Sequence, residues 1–189
     1  MNTFNPLPPV TKDAVDWFKE NLNLNMTLFE YGSGTSTLFF CQKVKKLIFI
    51  EYLPNRFQQT IDGLNHFKKM TISQAEVIPE LIEAQMDSAP YPYSYESYGT
   101  TDQTYFYHHF KKNVQSIRKY KDLDIVFIGG RSRSACIKEA VKKIKKGGYL
   151  ILNNSLRPEY QNAIDVFLND YPRKSFTEED NQTSVWTIK

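Results

Sequence analysis

The sequence is short of histidine, cysteine, tryptophan and glycine. Among 189 residues there are three His, two Cys, two Trp and eight Gly. Cys41 and Cys136 allow one disulfide at most, which excludes a disulfide-stapled scaffold. Each falls among apolar neighbours in a segment of helical pattern, and both read as buried free thiols. No Cys/His cluster has zinc spacing. No apolar run approaches the roughly 18 residues of a membrane span, which excludes an integral helical membrane protein. Charge of either sign is not in large excess: 24 Lys+Arg stand against 21 Asp+Glu, and a net +3 does not by itself imply nucleic acid. Residues 1–17 lack the basic start and apolar stretch of a secretory signal, so the chain reads as cytoplasmic.

What is present is a large apolar inventory. Hydrophobic residues make up 41% of the chain, with thirteen Phe and twelve Tyr. That suffices for a packed interior and excludes low-complexity disorder. The length suits one domain spanning 1–189, with a lead and helix over 1–25.

Apolar runs alternate with helical patterns, the signature of an α/β sheet. After a proline-rich lead, Thr11 can cap a short helix carrying Val15, Trp17, Phe18 and Leu22. Strands are expected over 26–31 and 47–52, a third within 70–78, then 124–128 and 149–152, and two closing strands near 174–177 and 184–188. Helices are expected over 35–44, from Pro54 onward, 105–117, 132–146 and 158–168. The helix over 132–146 carries Ile137, Ala140, Val141 and Ile144 at helical spacing. Its lysines, Lys138, Lys142, Lys143, Lys145 and Lys146, read as a solvated face, with an anionic partner as the minority reading. Residues 85–107 form a tyrosine-rich loop, too irregular for a core element and too aromatic for an inert linker.

The chemistry centres on residues 29–37, FEYGSGTST. Strand, glycine turn, helix is the layout that brings a nucleotide-like ligand against backbone amides. Gly32 and Gly34 allow the tight turn, and Ser36 and Thr37 can cap the helix or bond a ligand. Glu30 lies two residues before the first glycine, and Glu51 ends the next strand, placed to accept from both hydroxyls of a ribose. A phosphate-rich ligand favours a helix start without extra acids. An acid at Glu30 suits a ligand with a cationic amino-acid end, and S-adenosylmethionine has that end, a ribose and no phosphate. A chance glycine turn in an unrelated α/β protein is the bland alternative.

The order EYGSGTST, LIFIEY, DIVFIGGRSR, GGYLILNNS resembles that of class I S-adenosylmethionine-dependent methyltransferases, above all a subgroup of small bacterial proteins with an E-Y-G-S-G-x-S-T turn. The resemblance runs from about Leu28 to the end. It implies a three-layer Rossmann-like fold, with a seven-stranded, mostly parallel sheet in the order 3-2-1-4-5-7-6 and the last strand antiparallel. It also implies S-adenosylmethionine as cofactor. Glu30, Gly32 and Gly34 would line its methionine part, with Tyr31, Ser33, Ser36 and Thr37 among the cofactor contacts. Glu51 would hold the ribose, Tyr52 would lie beside the adenine, and Gly129 would approach the cofactor from the fourth strand. An adenine contact after the third strand is expected within 73–76.

Two positions depart from the family pattern. Gly129 stands where an Asp is common, and Asn153-Asn154 where an acid followed by Asn or Asp is common. Magnesium wants hard, charged oxygens, so no catalytic divalent metal is expected. With the acid after the fourth strand missing, His108 and His109 are the candidate bases, against a reading as exposed helix histidines. Tyr105 and Tyr107 either shape an acceptor pocket or pack on the sheet. Arg131 and Arg133 either hold an acidic acceptor or pair structurally. Asn153 and Asn154 join the candidate acceptor contacts.

The leading expectation is a metal-independent methyltransferase acting on a small molecule or sugar, with no nucleic-acid or membrane partner and homo-oligomerisation left open. The alternative is a degenerate member that binds S-adenosylmethionine or a partner without turnover. A nicotinamide enzyme would want a third small residue where Thr37 stands. A nucleic-acid methyltransferase would commonly carry an N/D-P-P-Y/F segment where Gly129-Gly130-Arg131 stands.

Overall fold

The structure is a computed structural model. It describes residues 6–70, 72–85 and 103–189, with side chains from 109 onward in the last stretch. Seven strands form one sheet: β1 (Thr27–Tyr31), β2 (Lys46–Glu51), β3 (Glu76–Leu81), β4 (Leu123–Ile128), β5 (Ile144–Asn153), β6 (Arg173–Glu178) and β7 (Asn181–Thr187). Their order is β3-β2-β1-β4-β5-β7-β6, as the resemblance implies. β7 runs antiparallel to both its neighbours, and the other pairings are parallel. Around the sheet lie α1 (Lys12–Asn21), α2 (Thr35–Phe40), α3 (Pro54–Lys69), α4 (Gln103–Gln115), α5 (Arg133–Ala140) and α6 (Pro158–Phe167). No described helix is long and apolar enough to cross a membrane.

The inner strands are continuous apolar runs because both of their faces are covered. β4 illustrates it: Val126 and Ile128 join a core with residues of α4, α5 and α6, while Ile125 and Phe127 join one with residues of α1 and α2. The edge strand β3 is different. Glu76 N donates to Lys45 O and Ile82 N to Glu51 O, so the alternate positions turn their nitrogens outward. Pro79 occupies one of these and removes a free donor from the sheet edge.

Several expected boundaries moved. The third strand begins at Glu76, so residues 73–76 enter it rather than leave it. An adenine contact expected after the third strand would therefore fall beyond Leu81. The helix expected over 132–146 stops at Ala140. Leu123 N donates to Lys143 O and Leu123 pairs with Ile144, so sheet pairing claims the residues that local pattern assigned to helix. β5 is correspondingly long, with a bulge where Leu123↔Ile144 passes to Ile125↔Tyr149. Cys41 and Cys136 are buried free thiols, as expected. Cys41 lies just past the end of α2 rather than within it.

Candidate cofactor site

The carboxyl ends of β1, β2, β4 and β5 bring Gly32, Glu51, Gly129 and Asn153 to one edge of the sheet. At its centre is the turn between β1 and α2. Gly32 has φ 101°. A Cβ there would stand 3.1 Å from Gly130 N, and a Cβ on Gly130 would stand 3.1 Å from Gly32 N and from Tyr31 C and O. The two turns thus meet backbone to backbone, which side chains at either position would prevent. Gly34, at φ 141°, has nothing within 4 Å of its Cβ position, so the turn has one open face.

Behind the turn Glu30 is buried, 1% exposed. Its register partners are Phe49 on β2 and Phe127 on β4. Ser36 Oγ donates to Glu30 Oε1 at 2.5 Å, while Oε2 is buried without a hydrogen-bond partner. Burial pushes the carboxyl up to about 8, against the hydroxyls of Ser36 and Thr37, which pull it down. Thr37 Oγ1 accepts from Gly34 N at 3.0 Å and closes the turn. The side chains of Ser36 and Thr37 are therefore committed to the turn. Tyr31 directs its side chain into the core, where its hydroxyl donates to Val114 O at 2.7 Å.

Glu51 is buried at the end of β2 and already well bonded. Tyr52 N and Leu53 N donate to Oε1 at 2.8 and 3.0 Å, and Ser33 Oγ donates to Oε2 at 2.7 Å. Thr60, buried on α3, lies within hydrogen-bond distance of Ser33 Oγ at 3.2 Å. A ligand hydroxyl approaching Oε2 has to share with Ser33 or displace it. Beside this group, Arg131 Nε donates to Tyr52 Oη at 3.3 Å, and the Tyr52 ring packs edge-on against Phe110 at 5.0 Å.

The expected acceptor side is largely self-bonded. Arg133 donates to Gly130 O, Asn153 O and Gly129 O, and its guanidinium lies over the Tyr160 ring. It clips the ends of β4 and β5 together. Asn153 Nδ2 donates to Pro9 O at 2.9 Å, tying the N-terminal lead over the end of β5. Asn154 follows in the left-handed region, φ 55°. At Gly129 a Cβ would stand 2.8 Å from Phe127 Cε1, so the phenyl ring fills the space into which an acid at this position would project. His109 Nδ1 lies 2.9 Å from Gln85 O, which can only accept, so Nδ1 carries the proton and Nε2 is the basic nitrogen. The side chains of Tyr105, Tyr107 and His108, and residues 86–102 of the tyrosine-rich segment, lie outside the described residues. Among the described residues no group of three or more His, Cys, Asp or Glu is placed to hold a metal ion.

Sequence reasoning missed Thr60, Phe127 and Pro9. Only Phe127 left a signal, a bulky aromatic two residues before a glycine on the same side of a strand.

No family model matches the chain, and no curated protein matches it. Solved structures do. A precorrin 8W decarboxylase from Methanobacterium thermoautotrophicum superposes with a TM-score of 0.62 at 14% identity, over 96% of this chain and 92% of that one. A protein from Streptococcus mutans, described as a candidate methyltransferase and crystallised in complex with SAH, gives 0.59 at 12% identity over 96% and 99%. This chain has the Rossmann-like methyltransferase fold. A tRNA (m1A58) methyltransferase from Aquifex aeolicus shares it, with a TM-score of 0.59 at 10% identity, over 100% of this chain and 72% of that one. The expectation of no nucleic-acid partner therefore gains no support from the fold.

Proposed function

We propose that the chain binds S-adenosylmethionine at the turn after β1 and transfers its methyl group, without a divalent metal, to a small molecule or sugar. One observation carries this reading. Glu30 is buried behind a glycine turn with Oε2 unpartnered, and the next strand ends in a second carboxylate. The residues fit the cofactor's three parts. The open face at Gly34 admits the methionine end, whose ammonium complements Glu30. Glu51 takes the ribose hydroxyls once Ser33 yields Oε2, and Tyr52 flanks the adenine. When bound, the cofactor supplies a methyl group activated by its sulfonium.

What remains for the chain is positioning, because methyl transfer needs acceptor and sulfonium in line. The lead held by Asn153 and the Arg131–Tyr52 pair border the acceptor side. His109 Nε2 is the described candidate for taking the acceptor's proton. Arg133 acts by fixing the strand ends.

Isothermal titration with S-adenosylmethionine and S-adenosylhomocysteine tests the reading. Glu51→Ala should weaken both by about 1.5–3 kcal/mol, the cost of losing a charged hydrogen-bonding group. Ser33→Ala, which keeps the carboxylate and removes its competitor, should bind at least as tightly as wild type. No binding by wild type removes the reading, and undiminished binding by Glu51→Ala removes Glu51 from the site. Binding without methyl transfer to any acceptor would favour the non-catalytic alternative.

A further inference from the structure

The sheet edge opposite the glycine turn has its own chemistry. Met26 O accepts from Lys45 N and Lys46 N, Lys45 O accepts from Glu76 N, and Lys143 O accepts from Leu123 N. These bonds hold the entries to β1 through β5 side by side. Six exposed lysines stand on these entries and on the end of α3: Lys45, Lys68, Lys69, Lys121, Lys142 and Lys146. Among the described residues none of the six forms an ion pair. Three large apolar side chains protrude among them, Leu24 at 66% exposed, Met70 at 60% and Ile72 at 42%. The exposed acids nearby are Glu20, Asp122, Asp170 and Glu76, the last paired with Lys46. Acids collect instead at the other edge, where Glu178, Glu179 and Asp180 form the tip between β6 and β7.

We propose that this lysine edge docks on an anionic lipid bilayer. The lysines meet headgroup phosphates, Leu24, Met70 and Ile72 enter the acyl boundary, and the glycine turn faces water. A lysine near an anionic membrane surface contributes attraction and can bury its methylene stem while its ammonium stays wet, and protruding aliphatic side chains add apolar burial. Nucleic acid fits this surface less well. Its readers rely on arginine forks and on aromatic rings that stack bases; the cations of this cluster are lysines, and the exposed arginines near it, Arg118 and Arg173, are taken up by Glu139 and by the Trp186 ring. A second copy of the chain fits less well again, since a two-fold contact would set the lysines of one copy against those of the other. The absence of a spanning helix among the described residues bears on insertion, not on peripheral docking. The edge also lies opposite the glycine turn, so its failure and that of the cofactor reading are separable.

Co-sedimentation of the full chain with vesicles tests the proposal. Vesicles of phosphatidylglycerol and phosphatidylcholine in equal parts should retain the protein at low salt, and phosphatidylcholine vesicles should not. K121E/K142E/K146E should lower partitioning about 100-fold or more, as the loss of three lysine attractions implies. L24S/M70S, with charge unchanged, should lower it several-fold. Both variants alter exposed side chains and should keep the wild-type thermal midpoint and S-adenosylmethionine affinity. Equal binding to both vesicle types overturns the proposal, as does vesicle binding indifferent to Leu24 and Met70. Preferential capture of a single-stranded RNA over the anionic vesicles would assign the edge to nucleic acid. Self-association abolished by L24S/M70S, without vesicle binding, would assign it to a second copy.

Discussion

Glu30 ionises near 4.5 when unperturbed, but between Phe49 and Phe127 burial pushes it up to about 8. The folded protein therefore keeps a proton that the unfolded chain surrenders. The stability this contributes is complete below about pH 4.5 and is lost as pH rises through about 8. Calorimetry on the ligand-free protein should show a thermal midpoint that falls between pH 5 and pH 8.5, the stability declining by at most about 1.4 kcal/mol per pH unit. Glu30→Gln should remove that slope, and a wild-type midpoint flat in this window would mean that Glu30 is charged in the fold. If an ammonium binds against Glu30, it favours the carboxylate, so titration of S-adenosylmethionine at pH 7 should release protons. Heats measured in buffers of different ionisation enthalpy would reveal them. Gly129 offers a second test at this scale. Gly129→Asp introduces an acid but drives Cβ into the Phe127 ring, which is held against Phe40 at 5.1 Å and Phe18 at 6.4 Å. Overpacking of this kind costs about 1–3 kcal/mol. Urea denaturation should show that loss, and adding Phe127→Leu should recover part of it.

At the scale of elements, the meeting of the β1 and β4 turns sets the site. Gly130→Ala would place a methyl 3.1 Å from the backbone of Tyr31 and Gly32, atoms that cannot rotate aside. It should part the two turns, lower stability by about 1–3 kcal/mol and abolish binding at the glycine turn. Gly34→Ala meets no atoms and carries only the cost of its φ of 141°. A comparison of the two by denaturation and titration separates packing from backbone strain, and equal effects would remove the special role of the Gly32–Gly130 contact. The contrast also explains what was legible in the sequence. Strand positions, the glycine turn and the two acids were legible because apolar runs and turn residues act locally, whereas the strand order was legible only through the resemblance to the methyltransferases. The end of α5 and the start of β5 were not, since they depend on Leu123 meeting Lys143 and Ile144 across the sheet. Nor were the tasks of Arg133 and Asn153. Their partners are backbone carbonyls, Gly129 O and Gly130 O close by and Asn153 O 20 residues away for Arg133, and Pro9 O 144 residues away for Asn153. A carbonyl belongs to every residue and leaves no mark in the sequence.

Across the whole molecule, one sheet divides the apolar interior into two cores, and each contains one of the two tryptophans. Trp17 lies in the core shared with α2, edge-on to Tyr149 at 5.0 Å. Trp186 lies in the core under α4, α5 and α6, beneath the Arg173 guanidinium at 4.9 Å. The same strands feed both cores, with Ile125 and Phe127 facing one and Val126 and Ile128 the other. Neither core can come apart while β4 stays intact, so both should be lost in one transition. Trp17→Phe leaves Trp186 as the sole indole reporter and Trp186→Phe leaves Trp17. In each variant the fluorescence midpoint in urea should coincide with that variant's own circular-dichroism midpoint. Saturating S-adenosylmethionine should raise both by the same free energy, because a ligand that binds only the folded sheet stabilises everything that unfolds with it. Separate midpoints would mean that the two faces unfold independently. A ligand shift confined to Trp17 would place the glycine turn in one face alone rather than at the edge both faces share.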